Sequence, residues 1–127
     1  MLMTNLVPSF FQDYAAALMT FSAENIAKYY QTPMAVYSND GVFTVDKMED
    51  VVSFWERGVK PYAAQKITRA TPTVISEEQV AEKLYLCKVS WNNADETGRE
   101  VSQETNYYIL SKNPEGLKIS GLLLMAS

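Results

Sequence analysis

Four aromatic residues, Tyr14, Tyr30, Trp55 and Tyr108, are the side chains in this sequence best suited to meeting a small molecule. A phenol hydroxyl both donates and accepts a hydrogen bond, and an indole N–H only donates. Set in an apolar wall, such groups can hold a carbonyl or phenolate oxygen while their rings take up an apolar body. Tyr37 belongs to the same set by position, although aromatic residues at strand spacing usually fill a core. Asp40 and Glu104 are the carboxylates that could act beside them as a base. Asp40 stands in an Asn39-Asp40-Gly41 turn, where backbone conformation is sufficient reason for it. The chain has no histidine and one cysteine. That cysteine, Cys87, lies in the apolar run L-Y-L-C-K-V and reads as a small buried hydrophobe, with no partner to activate it. Metal sites need clustered ligands, so neither a metal nor a cofactor is expected.

The elements that position these residues follow from periodicity. Val7, Phe10, Phe11, Tyr14, Leu18 and Phe21 recur at helical spacing and predict a first helix over 8–21, with Pro8 in its first turn. Ser22 is an N-cap for a short second helix over 23–30, carrying Ile26, Ala27 and Tyr30 on its inner edge. Pro33 ends helical structure. A strand over 34–38, the Asn-Asp-Gly turn and a strand over 42–45 form a hairpin. Asp46 and Glu49 resemble a capping box opening a third helix. Met48, Val51, Val52, Trp55, Val59 and Tyr62 share one face of it, and Pro61 should bend or stop it.

The remainder reads as four strands over 66–75, 79–92, 98–112 and 117–125, with turns at 76–78, 92–97 and 113–116. Pro72 places the first of these at a sheet edge or on a bulge. Both faces of several strands are apolar: Leu84 and Leu86 oppose Tyr85, Cys87, Val89 and Trp91, and Leu122 and Leu124 oppose Leu123 and Met125. Helices covering one side would not require this. A second subunit against the outer face is the simplest reason. Glu100, Glu104, Asn106 and Tyr108 share one strand face, and Arg99, Gln103 and Tyr107 the other. Alternation alone leaves open which face lines a pocket.

Composition bounds the reading further. At 127 residues, 47% hydrophobic and 12% aromatic, the chain forms one domain over 1–127. It is long enough to bury roughly two thirds of its unfolded surface. Its 11 basic residues are scattered and its net charge is −4. That argues against a nucleic-acid partner and against an anionic membrane surface. M-L-M-T-N-L-V-P lacks the pattern of a signal peptide, no apolar run reaches the length of a membrane span, and the expected location is the cytoplasm.

Helix, helix, hairpin, helix and four long strands is the order of the nuclear-transport-factor-2-like, or SnoaL-like, superfamily. D-Y-A-A-A-L on the first helix, A-K-Y-Y-Q-T-P-M-A-V-Y before the hairpin and E-G-L-K-I-S-G-L at the last strand resemble its pattern over nearly the whole chain. The resemblance implies an α+β fold of cystatin-like layout. In it a curved, mostly antiparallel sheet wraps three N-terminal helices into a cone with an internal pocket, and members commonly dimerise through the outer sheet face.

Within the superfamily the local pattern is most similar to the ketosteroid isomerases. Tyr14 falls on their oxyanion-stabilising tyrosine, Tyr30 on a second tyrosine of that group, and Trp55 on a third. An indole at 55 would break the relay, because it cannot accept. Ser38 stands where the isomerase base would be an Asp, and no carboxylate lies between Thr105 and Ser111, near Tyr108, for the second oxyanion donor. The cyclase and dehydratase branches rely on histidine. The epoxide hydrolase branch needs an Asp-Arg-Asp group that Arg57, Arg69 and Arg99 do not supply. Fold does not choose among these functions. The leading expectation is a homodimeric pocket domain, non-catalytic or of unfamiliar chemistry. It would bind a small apolar or aromatic molecule through Tyr14, Tyr30, Trp55 and Tyr108. The alternatives are a lyase, cyclase or isomerase using Tyr14 as donor with Asp40 or Glu104 as base, and a structural dimerisation module.

Overall fold

A computed structural model describes residues 6–125. The signal-peptide reading rests largely on residues 1–5, outside the described residues. The chain folds as α1 (Leu6–Leu18), α2 (Ala23–Ala27), β1 (Tyr30–Ser38), β2 (Gly41–Val45), α3 (Met48–Ala64), β3 (Ile67–Ala81), β4 (Leu84–Asp95), β5 (Glu100–Asn113) and β6 (Gly116–Leu124). The strands make one curved, unclosed sheet in the order β2-β1-β6-β5-β4-β3. β1 and β6 run parallel, and the other neighbours are antiparallel. The result is the expected α+β, cystatin-like layout. Among the described residues no helix is long and apolar enough to cross a membrane.

The hydrophobic pattern of α1 works as its spacing predicts. Val7, Phe10, Phe11, Tyr14 and Leu18 are all buried, facing the inner side of the sheet. The Ser22 hydroxyl accepts from the Asn25 N–H at 3.2 Å and caps α2. Asn39 and Asp40 make the tight hairpin turn between Ser38 and Gly41, whose φ of 130° only glycine adopts readily. β3 lies at the sheet edge, so Pro72 faces no second ladder there. Register shifts between Ile67 and Arg69, Val74 and Ser76, and Gln79 and Ala81 bend this long strand over the helices.

Several boundaries differ from the sequence reading. α1 stops at Leu18, and Phe21 takes a left-handed φ of 56° with its ring partly exposed. α2 ends at Ala27, so Tyr30 begins β1 instead of closing a helix. Pairing decides this: Tyr30 lies opposite Ile119, and the Ile119 N–H donates to the Tyr29 carbonyl at 2.8 Å. Pro33 then sits inside β1, after a cis peptide bond. No capping box forms at Asp46, because Lys47 occupies the N-cap and makes no side-chain capping bond. Pro61 stays inside α3 near its end. The Arg57 carbonyl that loses its donor belongs to a solvent-exposed residue, which moderates the cost. Ser76, Glu77 and Glu78 continue β3 instead of turning, paired with Lys88, Cys87 and Leu86.

Register also defines the outer face. Val42 opposes Tyr37, Tyr37 opposes Leu123, Leu123 opposes Tyr107, and Tyr107 opposes Lys88. The neighbouring row joins Gly121, Ile109 and Leu86. Tyr37 and Val42 are exposed, so this face presents an apolar stripe across the sheet.

Candidate binding cavity

Residues from six elements converge between the helices and the sheet. Tyr14 and Leu18, four apart on α1, look inward together. Trp55 and Tyr62 lie two turns apart on α3, Trp91 comes from β4, and Tyr30 opens β1. On β5 the alternating residues Glu104, Asn106 and Tyr108 face inward, which settles the face that the sequence left open. Together with Leu122 on β6 they line a cavity of about 80 Å³. The structure therefore brings Tyr14, Tyr30, Trp55 and Tyr108 to one place.

Two hydrogen-bonded pairs order the aromatic wall. The hydroxyls of Tyr14 and Tyr30 lie 2.6 Å apart, and one donates to the other. The Trp91 indole N–H donates to the Tyr108 hydroxyl at 2.8 Å. The Phe11 ring packs edge-on against Tyr108, with centroids 4.9 Å apart, and supports this wall from α1. Burial is the main cause that holds the Tyr14, Tyr30, Tyr62 and Tyr108 phenols above their ordinary pKa, Tyr108 at about 12. At neutral pH all four are uncharged donors. The Tyr14–Tyr30 pair uses one of its two protons internally and keeps one. The Trp55 N–H lies near enough to Tyr30 to favour its phenolate slightly, yet it is buried and completes no hydrogen bond. A Cβ at position 58 would meet Trp55 Cε3 at 2.9 Å, so Gly58 makes room for that indole.

A second cluster borders the first. Glu104 Oε2 accepts from the Tyr62 hydroxyl at 3.3 Å and from Asn93 Nδ2 at 3.1 Å, and Asn93 Nδ2 also reaches Ser102 Oγ at 3.2 Å. Asn93 is 1% exposed, and its Oδ1 has no partner among the described residues. Sequence reasoning named Glu104 but passed over Tyr62, Trp91 and Asn93 as site residues. The alternation that put Trp91 beside Cys87 and Val89, and the α3 face that held Tyr62, were the signals that could have found the first two.

Outside the cavity a larger groove of about 500 Å³ lies between the β1–β2 hairpin and α3. Val36, Phe43 and Val45 give it an apolar floor, and Asp40, Asp50 and Arg57 stand on its walls. Phe54 and Leu124 border both spaces. Ser38 and Asp40 belong to this groove and not to the inner cavity, so Glu104 is the carboxylate that shares a chamber with Tyr14. Among the described residues no three His, Cys, Asp or Glu side chains gather as a metal site would require.

The family model described as NTF2-like protein (DUF6841) matches residues 5–126. The chain belongs to that family. Solved structures share the NTF2-like fold at low identity. A domain of unknown function with a cystatin-like fold from Nostoc punctiforme is 18% identical, with a TM-score of 0.72 over 95% of this chain and 75% of that one. An NTF-2 like protein of unknown function from Shewanella oneidensis is 9% identical, with a TM-score of 0.71 over 94% and 96%. A ketosteroid isomerase-like protein from Erwinia carotovora atroseptica is 7% identical, with a TM-score of 0.66 over 98% of each chain. No curated protein matches the chain. At these identities the NTF2-like likeness is one of fold.

Proposed function

We propose that this NTF2-like domain binds a small, mostly apolar or aromatic molecule, as a cytoplasmic homodimer and without a familiar reaction. The observation that carries the reading is the buried, unpartnered Trp55 N–H beside the Tyr14–Tyr30 hydroxyl pair, in a cavity adjoining a larger apolar groove. A buried donor without a partner costs free energy that a ligand oxygen would recover. Size constrains how a ligand sits. A benzene-sized guest occupies a cavity of about 150 Å³, and the inner space is about 80 Å³. The inner cavity therefore takes a head group, while the body of the ligand lies past Phe54 and Leu124 in the groove.

The two tryptophans of the chain, Trp55 and Trp91, both line the cavity, so intrinsic fluorescence reports on it. Titration with 2-phenylethanol is expected to give a saturable fluorescence change and a rise in Tm. Fluorescence that stays flat to the solubility limit with this alcohol and with its amine and carboxylate analogues rejects the reading. For the dimer, the apolar stripe formed by Tyr37, Leu123 and Tyr107 supplies the contact. Sedimentation should give twice the chain mass, and Tyr107→Glu should return a folded monomer. A wild-type monomer at high concentration removes the dimer from the proposal.

A further inference from the structure

The inner cavity has a negative wall and no positive one. Among the described residues Glu104 lines it, and no Lys or Arg does. Its carboxylate is tethered through Oε2 by Tyr62 and Asn93. Among the described residues Oε1 accepts no hydrogen bond, and the buried Asn93 Oδ1 in the same cluster is also unpartnered. Burial is the main reason the Tyr62 and Tyr108 phenols stay protonated, and the negative charge of Glu104 adds to it at Tyr62 and, least of the causes, at Tyr108. Tyr14, Tyr30, Trp55 and Trp91 line the same cavity as this carboxylate. Aromatic faces are electron-rich and attract cations, most strongly where water is excluded. An anionic group placed here would meet Glu104 with no counter-charge, whereas an ammonium would meet a carboxylate in an aromatic-lined space.

We propose that the cavity takes the ammonium head of a small apolar amine, with Glu104 as its counter-ion inside an aromatic-lined space, while an oxygen of the same ligand accepts from the Trp55 N–H and the apolar body occupies the outer groove. This rests on the pocket reading above and names the class of its ligand. The volumes agree with the division: about 80 Å³ holds a charged head but no ring, and about 500 Å³ between the hairpin and α3 holds the body. The groove walls do not oppose a cation, since Asp40 and Asp50 stand there against Arg57.

Three probes of similar shape test the inference by tryptophan fluorescence and calorimetry at neutral pH: 2-phenylethylammonium, 2-phenylethanol and phenylacetate. The ammonium should bind wild-type protein about ten-fold or more tighter than the alcohol, because a charge-assisted bond replaces a neutral one, and phenylacetate should bind weakest. Glu104→Gln, checked for folding by its Tm, should bring the ratio of ammonium to alcohol affinity, both measured in that variant, down to about one. If the alcohol binds as tightly as the ammonium, the amine inference is overturned and the pocket reading stands. If none of the three binds, the pocket reading falls and this one with it. If folded Glu104→Gln keeps the full preference for the ammonium, Glu104 is not the counter-ion and the proposal is overturned. Should that variant fail to fold, the wild-type ratio of ammonium to alcohol decides alone.

Discussion

Raising the pH above about 10 should unfold the protein steeply, because folding keeps at least four phenols and one thiol protonated. Burial raises Tyr14, Tyr30, Tyr62 and Tyr108 above the ordinary phenol value of 10.0, and pushes Cys87 up from 9.0 to about 12. The neutral forms are the protonated ones, so the folded state binds more protons than the unfolded state once the pH passes the unfolded values. Their contribution to stability is complete below about pH 9 for the thiol and below about pH 10 for the phenols. It is lost as the pH rises toward the folded values. Each such group lowers stability by about 1.4 kcal/mol per pH unit in that window, and the four phenols together by roughly 5 kcal/mol per unit. Domains of this kind hold about 5–15 kcal/mol in all, so one to three pH units suffice. Circular dichroism and tyrosinate absorbance followed together should show these phenols ionising with the loss of structure. If all eight tyrosines ionise near their ordinary value while the dichroism stays native, the buried aromatic wall is wrong.

Leu124→Trp should weaken ligand binding sharply while leaving the domain folded. Leu124 borders both the inner cavity and the outer groove, at the end of β6, and is 37% exposed. An indole there narrows the passage beside Phe54 but can turn partly toward solvent. The stability change should stay within about 1 kcal/mol, as for most substitutions outside a tight core. Affinity for 2-phenylethanol should fall by about ten-fold or more, the loss expected when a bound group is shut out of its pocket. An unchanged dissociation constant in a folded variant would mean that ligands do not pass between these two spaces.

Much of this arrangement was legible before the structure. The helical recurrence through Phe11, Tyr14 and Leu18 placed Tyr14 on the buried face of α1, and the Asn-Asp-Gly turn placed the hairpin that walls the groove. Tyr30 was assigned to the right neighbourhood but the wrong element. Its local sequence suits a helix end, and only pairing with β6, far along the chain, makes it the first residue of β1. Ser76-Glu77-Glu78 has the composition of a turn, yet at an exposed sheet edge polar residues can continue a strand whose other side pairs with β4. Trp91 and Tyr62 were visible as apolar positions and not as site residues, because their hydrogen bonds to Tyr108 and Glu104 join residues 17 and 42 apart in sequence. Alternation grouped Glu104 with Tyr108 but could not say that this face looked inward. That depends on which side of the sheet the helices cover.

In the proposed complex a ligand spans the inner cavity and the outer groove, past Phe54 and Leu124. A crystal structure of the recombinant protein grown with 2-phenylethylamine tests it most directly. Electron density is expected with the amine nitrogen beside Glu104 and the ring over Phe43 and Val45. A helix–sheet space closed by side chains, or ligand density confined to another part of the surface, would contradict it.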